Sequence, residues 1–183
     1  IEGHIGQISA SSQHLLGLLN DILDLTKIEA GRIELSEEAV SLSKLADTVD
    51  SMIRPRCDEK SIRFVTDIDG FGGQAFWLDS LRLRQVLINL LGNAVKFTPE
   101  CGTITFGIRR LEQSEGATTL RFSVRDTGIG IAETYQATIF QAFEQAGSHV
   151  SRQHGGTGLG LAIRQRLVEL LGGEIKLESE LGK

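Results

Sequence analysis

The sequence predicts an α+β protein, a long leading helix followed by a domain in which helices and strands alternate. Residues 1 to about 30 contain no proline and place Ile5, Ile8, Ser12, Leu15, Leu19, Ile22 and Thr26 at alternating spacings of three and four, the seam of a helical bundle. From Val40 onward the apolar pattern breaks into short blocks that switch between helical and period-two spacing. One long stretch, Thr127 to Thr157, is rich in Gly, Ser, Gln and His and carries only a short apolar piece, Ile139, Phe140 and Phe143.

Taken in order, the leading helix is expected to stop at Gly31. Leu16, Leu18, Leu23 and Leu25 widen its apolar stripe beyond one seam, so it needs more than one neighbour to be buried. A helix around Leu42 to Cys57 follows, then strands at Ile62 to Ile68 and Ala75 to Leu78. The next helix runs from about Ser80 to Phe97, stopped by Pro99, with Leu83, Leu87, Leu90 and Ala94 as its buried stripe. Strands near Thr103 to Leu111 and Thr119 to Asp126 are joined by the polar turn Glu112 to Gly116, which makes them antiparallel neighbours. Thr127 to Thr157 is long enough inside a compact domain to be a functional lid, mobile from Gln145 to Gly155. A helix from Leu159 to Leu171 closes at Gly172 and Gly173, and Glu174 to Glu178 reads as a strand.

Composition narrows the function classes. The chain has 183 residues, 40% hydrophobic, enough for a real core. A net charge of −5 with 19 basic residues and no Lys/Arg run argues against nucleic acid as the main partner, so an anionic ligand must be held locally. Cys57 and Cys101 show no metal spacing or disulfide framework, as expected of a reducing compartment. No apolar run approaches the roughly 20 residues that span a bilayer. The start inside a helical pattern, with Met52 the only methionine, reads as a piece of a longer protein.

Three features suit chemistry. At 100° per residue, Asn89, Asn93 and Lys96 fall within about 60° on one edge of their helix. Amide oxygens can ligate Mg²⁺ beside phosphate oxygens and waters, and a lysine one turn on neutralises phosphate charge; an ordinary solvated face is the plain alternative. In the strand Leu120, Phe122, Val124, Asp126, alternation puts a carboxylate on an apolar face, where an exocyclic amine such as that of adenine is a fitting donor. Asp126 equally suits an Asx-type turn through Gly128, and Gly128 and Gly130 permit a flat ring to approach closely. Gly155-Gly156-Thr157-Gly158-Leu159-Gly160-Leu161 runs into a helix start and forms an anion site, but it matches neither the Walker loop nor the Rossmann fingerprint.

In order, these segments resemble four boxes of the sensor histidine kinases. Leu83 to Thr98 resembles the asparagine box, Asp126-Thr127-Gly128-Ile129-Gly130-Ile131 the first glycine box, Ile139 to Gln145 the phenylalanine box, and Gly156 to Ile163 the second glycine box. Upstream, Asn20 to Gly31 resembles the second helix of the family's dimerisation and phosphotransfer module.

The resemblance implies a two-layer α/β sandwich of the Bergerat type, shared with gyrase, chaperone and mismatch-repair ATPases. It divides the chain into residues 1–31, the dimerisation helix, and 32–183, the ATP-binding domain. Asn93 and Asn89 would hold Mg²⁺ and Lys96 would meet phosphate. Asp126 would read adenine, with Gly128, Gly130 and Ile131 near the base. Phe140, Gly156, Thr157, Gly158, Leu159, Gly160 and Leu161 complete the nucleotide-contacting set, and Arg152 would steady the γ-phosphate. Phe97 either touches the nucleotide or fills the core. The implied reaction is transfer of the γ-phosphoryl group of ATP to a histidine.

The acceptor is expected outside this sequence, since His4 and His14 lack the acidic residue and proline that follow it in the family; His149 and His154 belong to the lid. In that family a further strand usually follows the Leu-Gly that Leu181-Gly182 resembles. Expected partners are a second copy, through the helical bundle, and a response-regulator receiver domain, with no nucleic acid or membrane contact in this segment and a cytoplasmic location. Two rivals remain: an ATPase that hydrolyses ATP for a conformational cycle, disfavoured by an amide at position 89 where a base is needed, and a scaffold that has kept a nucleotide pocket.

Overall fold

The computed structural model describes residues 15, 16, 19, 22, 23, 26–28, 30–141 and 160–182. By its contacts the chain forms two units, Ile1–Glu34 with Ala137–Glu174, and Leu35–Gln136 with Ile175–Lys183.

The described residues of the first segment are helical from Leu15 to Ile28, and Leu15, Leu16, Leu19, Ile22 and Leu23 are all exposed in the single chain. Gly31 ends this helix as its sequence suggests. It takes φ +62°, its N–H donates to Ile28 O at 3.0 Å, and Arg32 N–H reaches back to Lys27 O at 2.9 Å. Only glycine adopts that backbone without a Cβ penalty. The helix α4, Gly160–Leu170, closes the same way, with Gly172 at φ +76° and Gly173 N–H on Val168 O at 2.9 Å.

The second unit carries five strands, β1 Glu38–Ser41, β2 Arg63–Ile68, β3 Ala75–Leu78, β4 Thr103–Ser114 and β5 Ala117–Asp126, and the helices α1 Leu42–Glu59, α2 Ser80–Phe97 and α3 Glu133–Gln136. The strands form two sheets, an antiparallel β1–β3 pair and a mixed sheet ordered β2-β4-β5, in which β2 and β4 run parallel. The expected antiparallel hairpin is β4–β5, closed at Glu115-Gly116 with Gly116 at φ +84° and Ser114 opposite Ala117. Both strands extend further toward this turn than the apolar pattern suggests, because exposed polar residues continue the ladder.

One core joins the layers. Leu42, Leu45, Val49 and Ile53 of α1 and Leu87, Leu91, Ala94 and Val95 of α2 meet Ile104, Phe106 and Ile108 of β4, with Leu120, Phe122 and Val124 of β5 packed against them. Period two therefore holds on β4 and β5 and fixes which face of the sheet lies under the helices. On α2 the buried stripe passes through Leu91, fully buried, rather than Leu90, which is half-buried. The buried positions Leu87, Leu91, Ala94 and Val95 recur at helical spacing, a stripe turned toward Leu91 from the one the apolar pattern suggests.

Asp79 sets the start of α2. This carboxylate is only 3% exposed, yet its Oδ1 accepts Arg82 N–H at 2.9 Å and its Oδ2 accepts Ser36 N–H at 3.0 Å. An N-cap of this kind contributes about 0.5–2 kcal/mol. Here it also fastens the segment before β1 to the helix that carries the asparagines.

Three expectations fail. Glu174 to Glu178 is not a strand: residues 174–180 join neither sheet, although Ile175, Leu177 and Ser179 alternate in exposure with Lys176, Glu178 and Glu180. The alternation is present, but this stretch bonds the loop after β5 through a side chain, with Ile131 N–H on Ser179 Oγ at 2.9 Å, rather than through a ladder. The sequence reading also omits β1, whose partner β3 lies far along the chain, and α3, which interrupts the stretch expected to be lid. The remainder of that lid, residues 142–157, lies outside the described residues. No described helix is long and apolar enough to cross a membrane.

Candidate nucleotide site

The site begins on α2. Asn89, Asn93 and Lys96 are all half-buried on the edge of a helix whose other side is sealed in the core. The Oδ1 of Asn89 is buried with no hydrogen-bond partner among the described residues. Leaving such an acceptor unpaired costs about 1–3 kcal/mol, so a buried orphan of this kind marks a place where something else supplies the missing bond. A hard cation or its water fits a neutral amide oxygen. Burial holds the Lys96 ammonium below the ordinary lysine value, and its Nζ lies 5.0 Å from the centre of the Phe97 ring. Phe97 is half-buried.

The second part is the turn after β5. Asp126 stands opposite Ile104, and Val124 and Phe122 of its own face pack on the core. The carboxylate itself is exposed rather than buried, at the last residue of the strand. The cost expected for burying that charge is therefore absent in the free protein. Its Oδ1 accepts Gly128 N–H at 2.8 Å, the Asx-type turn, and its Oδ2 has no partner among the described residues. The turn thus occupies one oxygen of the carboxylate and leaves the other open among the described residues.

The glycines are explained by the chain's own backbone. A Cβ on buried Gly128 would lie 2.9 Å from Phe97 O and 2.5 Å from Asp126 Oδ1. On Gly130, at φ +70°, it would lie 2.1 Å from Glu180 O. So Gly128 seats the turn against the end of α2, where Ile129 N–H meets Phe97 O at 3.4 Å, and Gly130 seats it against the C-terminal segment, where Gly182 N–H meets Ile129 O at 3.0 Å.

The fold therefore brings together Asn89, Asn93, Lys96, Phe97, Asp126, Gly128, Gly130 and Ile131 within one unit. Phe140, Gly160 and Leu161 belong to the other. Arg152, Gly156, Thr157, Gly158 and Leu159 lie outside the described residues, as do Phe143 and all four histidines. Sequence reasoning missed several supports. Gln136 Nε2 donates to Ile131 O and to Ser179 O, each at 2.8 Å, and Thr127 Oγ1 accepts Thr103 N–H at 2.9 Å. Lys60 binds the end of α2. Gln136, through Ser179, and Lys60 act on backbone far away in sequence, which leaves no local pattern; only Thr127, beside Asp126 at the strand end, carried a turn signal.

Known proteins are similar to this chain. The circadian input-output histidine kinase CikA of Synechococcus elongatus is 45% identical over 98% of this chain and 23% of its own length. The signal transduction histidine-protein kinase BarA of Escherichia coli is 39% identical over 97% of this chain and 19% of its own. This chain thus spans only about a fifth of these curated relatives. Among solved structures, full-length ShkA in complex with AMPPNP superposes with a TM-score of 0.81 at 37% identity, covering 100% of this chain and 36% of that one. Residues 78–183, more than half of the sequence and the part that holds α2 and the turn after β5, match the family described as histidine kinase-, DNA gyrase B- and HSP90-like ATPase, and the chain belongs to that family.

Proposed function

We propose that this chain is the ATP-binding core of a sensor histidine kinase, which binds Mg–ATP and passes the γ-phosphoryl group to a histidine outside this sequence, for relay to a response-regulator aspartate. The observation that carries the reading is the unpaired, buried Asn89 Oδ1 on the same helix edge as Asn93 and Lys96, followed in the chain by the Asp126 turn. Its relatives among histidine kinases support it.

The donor set fits magnesium: neutral amide oxygens from Asn89 and Asn93, with room left for phosphate oxygens and waters. When bound, the ion neutralises and aligns the phosphates. The chain's own work is to orient: Lys96 adds charge at the phosphate end, and the free oxygen of Asp126 accepts from the adenine amine. Position 89 holds an amide, which takes no proton at neutral pH, so a hydrolytic cycle run by a base there is disfavoured. Residues 1–31 are proposed as the second helix of a four-helix dimer bundle, in keeping with their exposed leucines.

The test uses radiolabelled Mg–ATP. This chain alone is expected to bind nucleotide without acquiring an acid-labile, base-stable phosphoryl group. A longer kinase-dead partner that supplies the preceding helix is expected to become labelled on a histidine outside this sequence. Strong labelling of His4 or His14 would overturn the reading.

Asp126→Asn is expected to keep the turn, because an amide oxygen still accepts Gly128 N–H, while putting an NH₂ where the free oxygen stood. The adenine end should lose on the order of 1.5–3 kcal/mol of affinity by calorimetry with thermal stability unchanged. Normal ATP binding by this variant would return Asp126 to a purely structural role.

Lys96 gives a pH signature. Its lowered pKa means that the unfolded chain holds the extra proton between the folded value and the ordinary lysine value, so this group's contribution to stability rises with pH across that window. A triphosphate beside it works the other way and favours the ammonium. ATP binding should therefore take up a proton just below the ordinary lysine range, seen as a binding enthalpy that varies with buffer, and affinity should fall as pH rises through it. Lys96→Met should abolish both effects; if they persist, Lys96 does not meet phosphate.

A further inference from the structure

Helix α2 ends with carbonyls that its own ladder leaves open. Ala94 O is taken by Thr98 N–H at 2.9 Å, and the carbonyls of Val95, Lys96, Phe97 and Thr98 lie beyond the last intrahelical donor. Two groups from elsewhere in the fold satisfy all of them. Nζ of Lys60 donates to Val95 O at 2.7 Å, to Thr98 O at 2.9 Å and at longer reach to Lys96 O at 3.4 Å. Phe97 O receives the Ile129 N–H. An ammonium carries three protons and no acceptor, so three carbonyls use one lysine fully, and its charge opposes the negative end of the helix dipole. Lys60 is itself fixed as the C-cap of α1, with its N–H on Cys57 O at 3.1 Å.

We infer that Lys60 is a positioning residue of the nucleotide site, holding the last turn of α2 in place without touching the ligand; this rests on the nucleotide reading above. That turn presents Lys96 and Phe97 and supplies the Phe97 carbonyl on which Gly128 and Ile129 rest. The contact has no slack, since a single added carbon at Gly128 would already lie 2.9 Å from Phe97 O. Without Lys60, three half-sheltered carbonyls lose their donors and regain them only by opening the turn to water. Opening moves Phe97 O, and with it the Asp126 turn, so both ends of the site are disturbed from one residue outside it.

The test compares Lys60→Met, which keeps the apolar stem and removes the donors, with Lys60→Arg, which restores charge and donors. Val49→Ala is the control, a fully buried α1 residue far from the last turn of α2 in sequence, compared at temperatures where the variants are equally folded. Lys60→Met is expected to weaken Mg–ATP binding about tenfold in calorimetry and to speed amide exchange at Ile129 and Thr98. Lys60→Arg should recover most of both, while Val49→Ala stays within about twofold of wild-type affinity. Wild-type affinity in a folded Lys60→Met, or an equal loss in Val49→Ala, would overturn the inference. So would failure of both Lys60→Met and Lys60→Gln to fold, which makes Lys60 a folding residue instead. If the wild type bound no nucleotide, the functional reading would fall, and exchange at Ile129 would still decide the positioning claim: unchanged exchange in Lys60→Met overturns it.

Discussion

Asn89→Leu is expected to leave the free protein as stable as wild type or more so, and to abolish Mg–ATP binding. The two halves have one cause. The Oδ1 of Asn89 is buried and unpaired among the described residues, so the free protein carries the cost of an unmade bond, about 1–3 kcal/mol, which a side chain of similar size without an acceptor removes. The same oxygen is proposed to face the ion. Partners one step removed from a metal already cost about 10–100-fold when lost, so the loss here should be about 100-fold or more. Asn93→Ala should behave alike on the ligand side, weakening binding far more with magnesium than without. Thermal denaturation of the free variants and calorimetry with and without Mg²⁺ check the pattern. A folded Asn89→Leu that binds ATP normally, or one that loses several kcal/mol of stability, would show that the amide serves the fold.

The trade between stability and ligand explains why α2 was legible in the sequence. Its boundaries are set by local chemistry, Asp79 at the start and Thr98-Pro99 at the end, and its asparagines stand out because amides are poor helix formers with no packing reason to be there. The turn after β5 was legible for a similar reason, a carboxylate breaking a run of alternating apolar residues. Its environment was not. Whether Asp126 is buried depends on where the helical layer stops covering the sheet, and no spacing within β5 encodes that.

What escaped the sequence is what depends on distant backbone. The strand β1 has four residues, and it exists because Ala39 and Val40 find Trp77 and Phe76. Residues 174–180 show the opposite case: their alternation is strand-like, but the loop after β5 meets them through Ser179, and meets Gly182 just beyond them, rather than through a ladder. Lys60 bonds carbonyls 35 and 38 residues away, and a carbonyl is the same in every residue. Motifs name side chains; the supports that hold them in place are mostly peptide groups, so the site's chemistry could be read before its scaffolding.

That scaffolding can be tested at Gly130, where the second large effect is expected. Gly130→Ala introduces a Cβ at φ +70°, a conformation that costs a residue with a side chain about 1–2 kcal/mol. It also places that carbon 2.1 Å from Glu180 O and 2.9 Å from Leu181 Cα, both backbone atoms with no flexible end to swing aside. Overpacking of this kind costs a further 1–3 kcal/mol or so. The segment 179–182 must move away, which breaks the Ser179 and Gly182 bonds to the loop and loosens the turn that presents Asp126. A fall in melting temperature on the order of 5–15 °C follows for a chain of this size. Gly116→Ala separates the two causes: it has φ +84° but nothing within 4 Å of the added carbon, so it carries only the backbone penalty and lies far from the site. The expected order is a small loss of stability with normal ATP affinity for Gly116→Ala, and a larger loss with weakened affinity for Gly130→Ala. Equal melting temperatures for the two variants would mean that the C-terminal segment does not rest on the loop after β5, and that the glycine is there for its backbone angle alone.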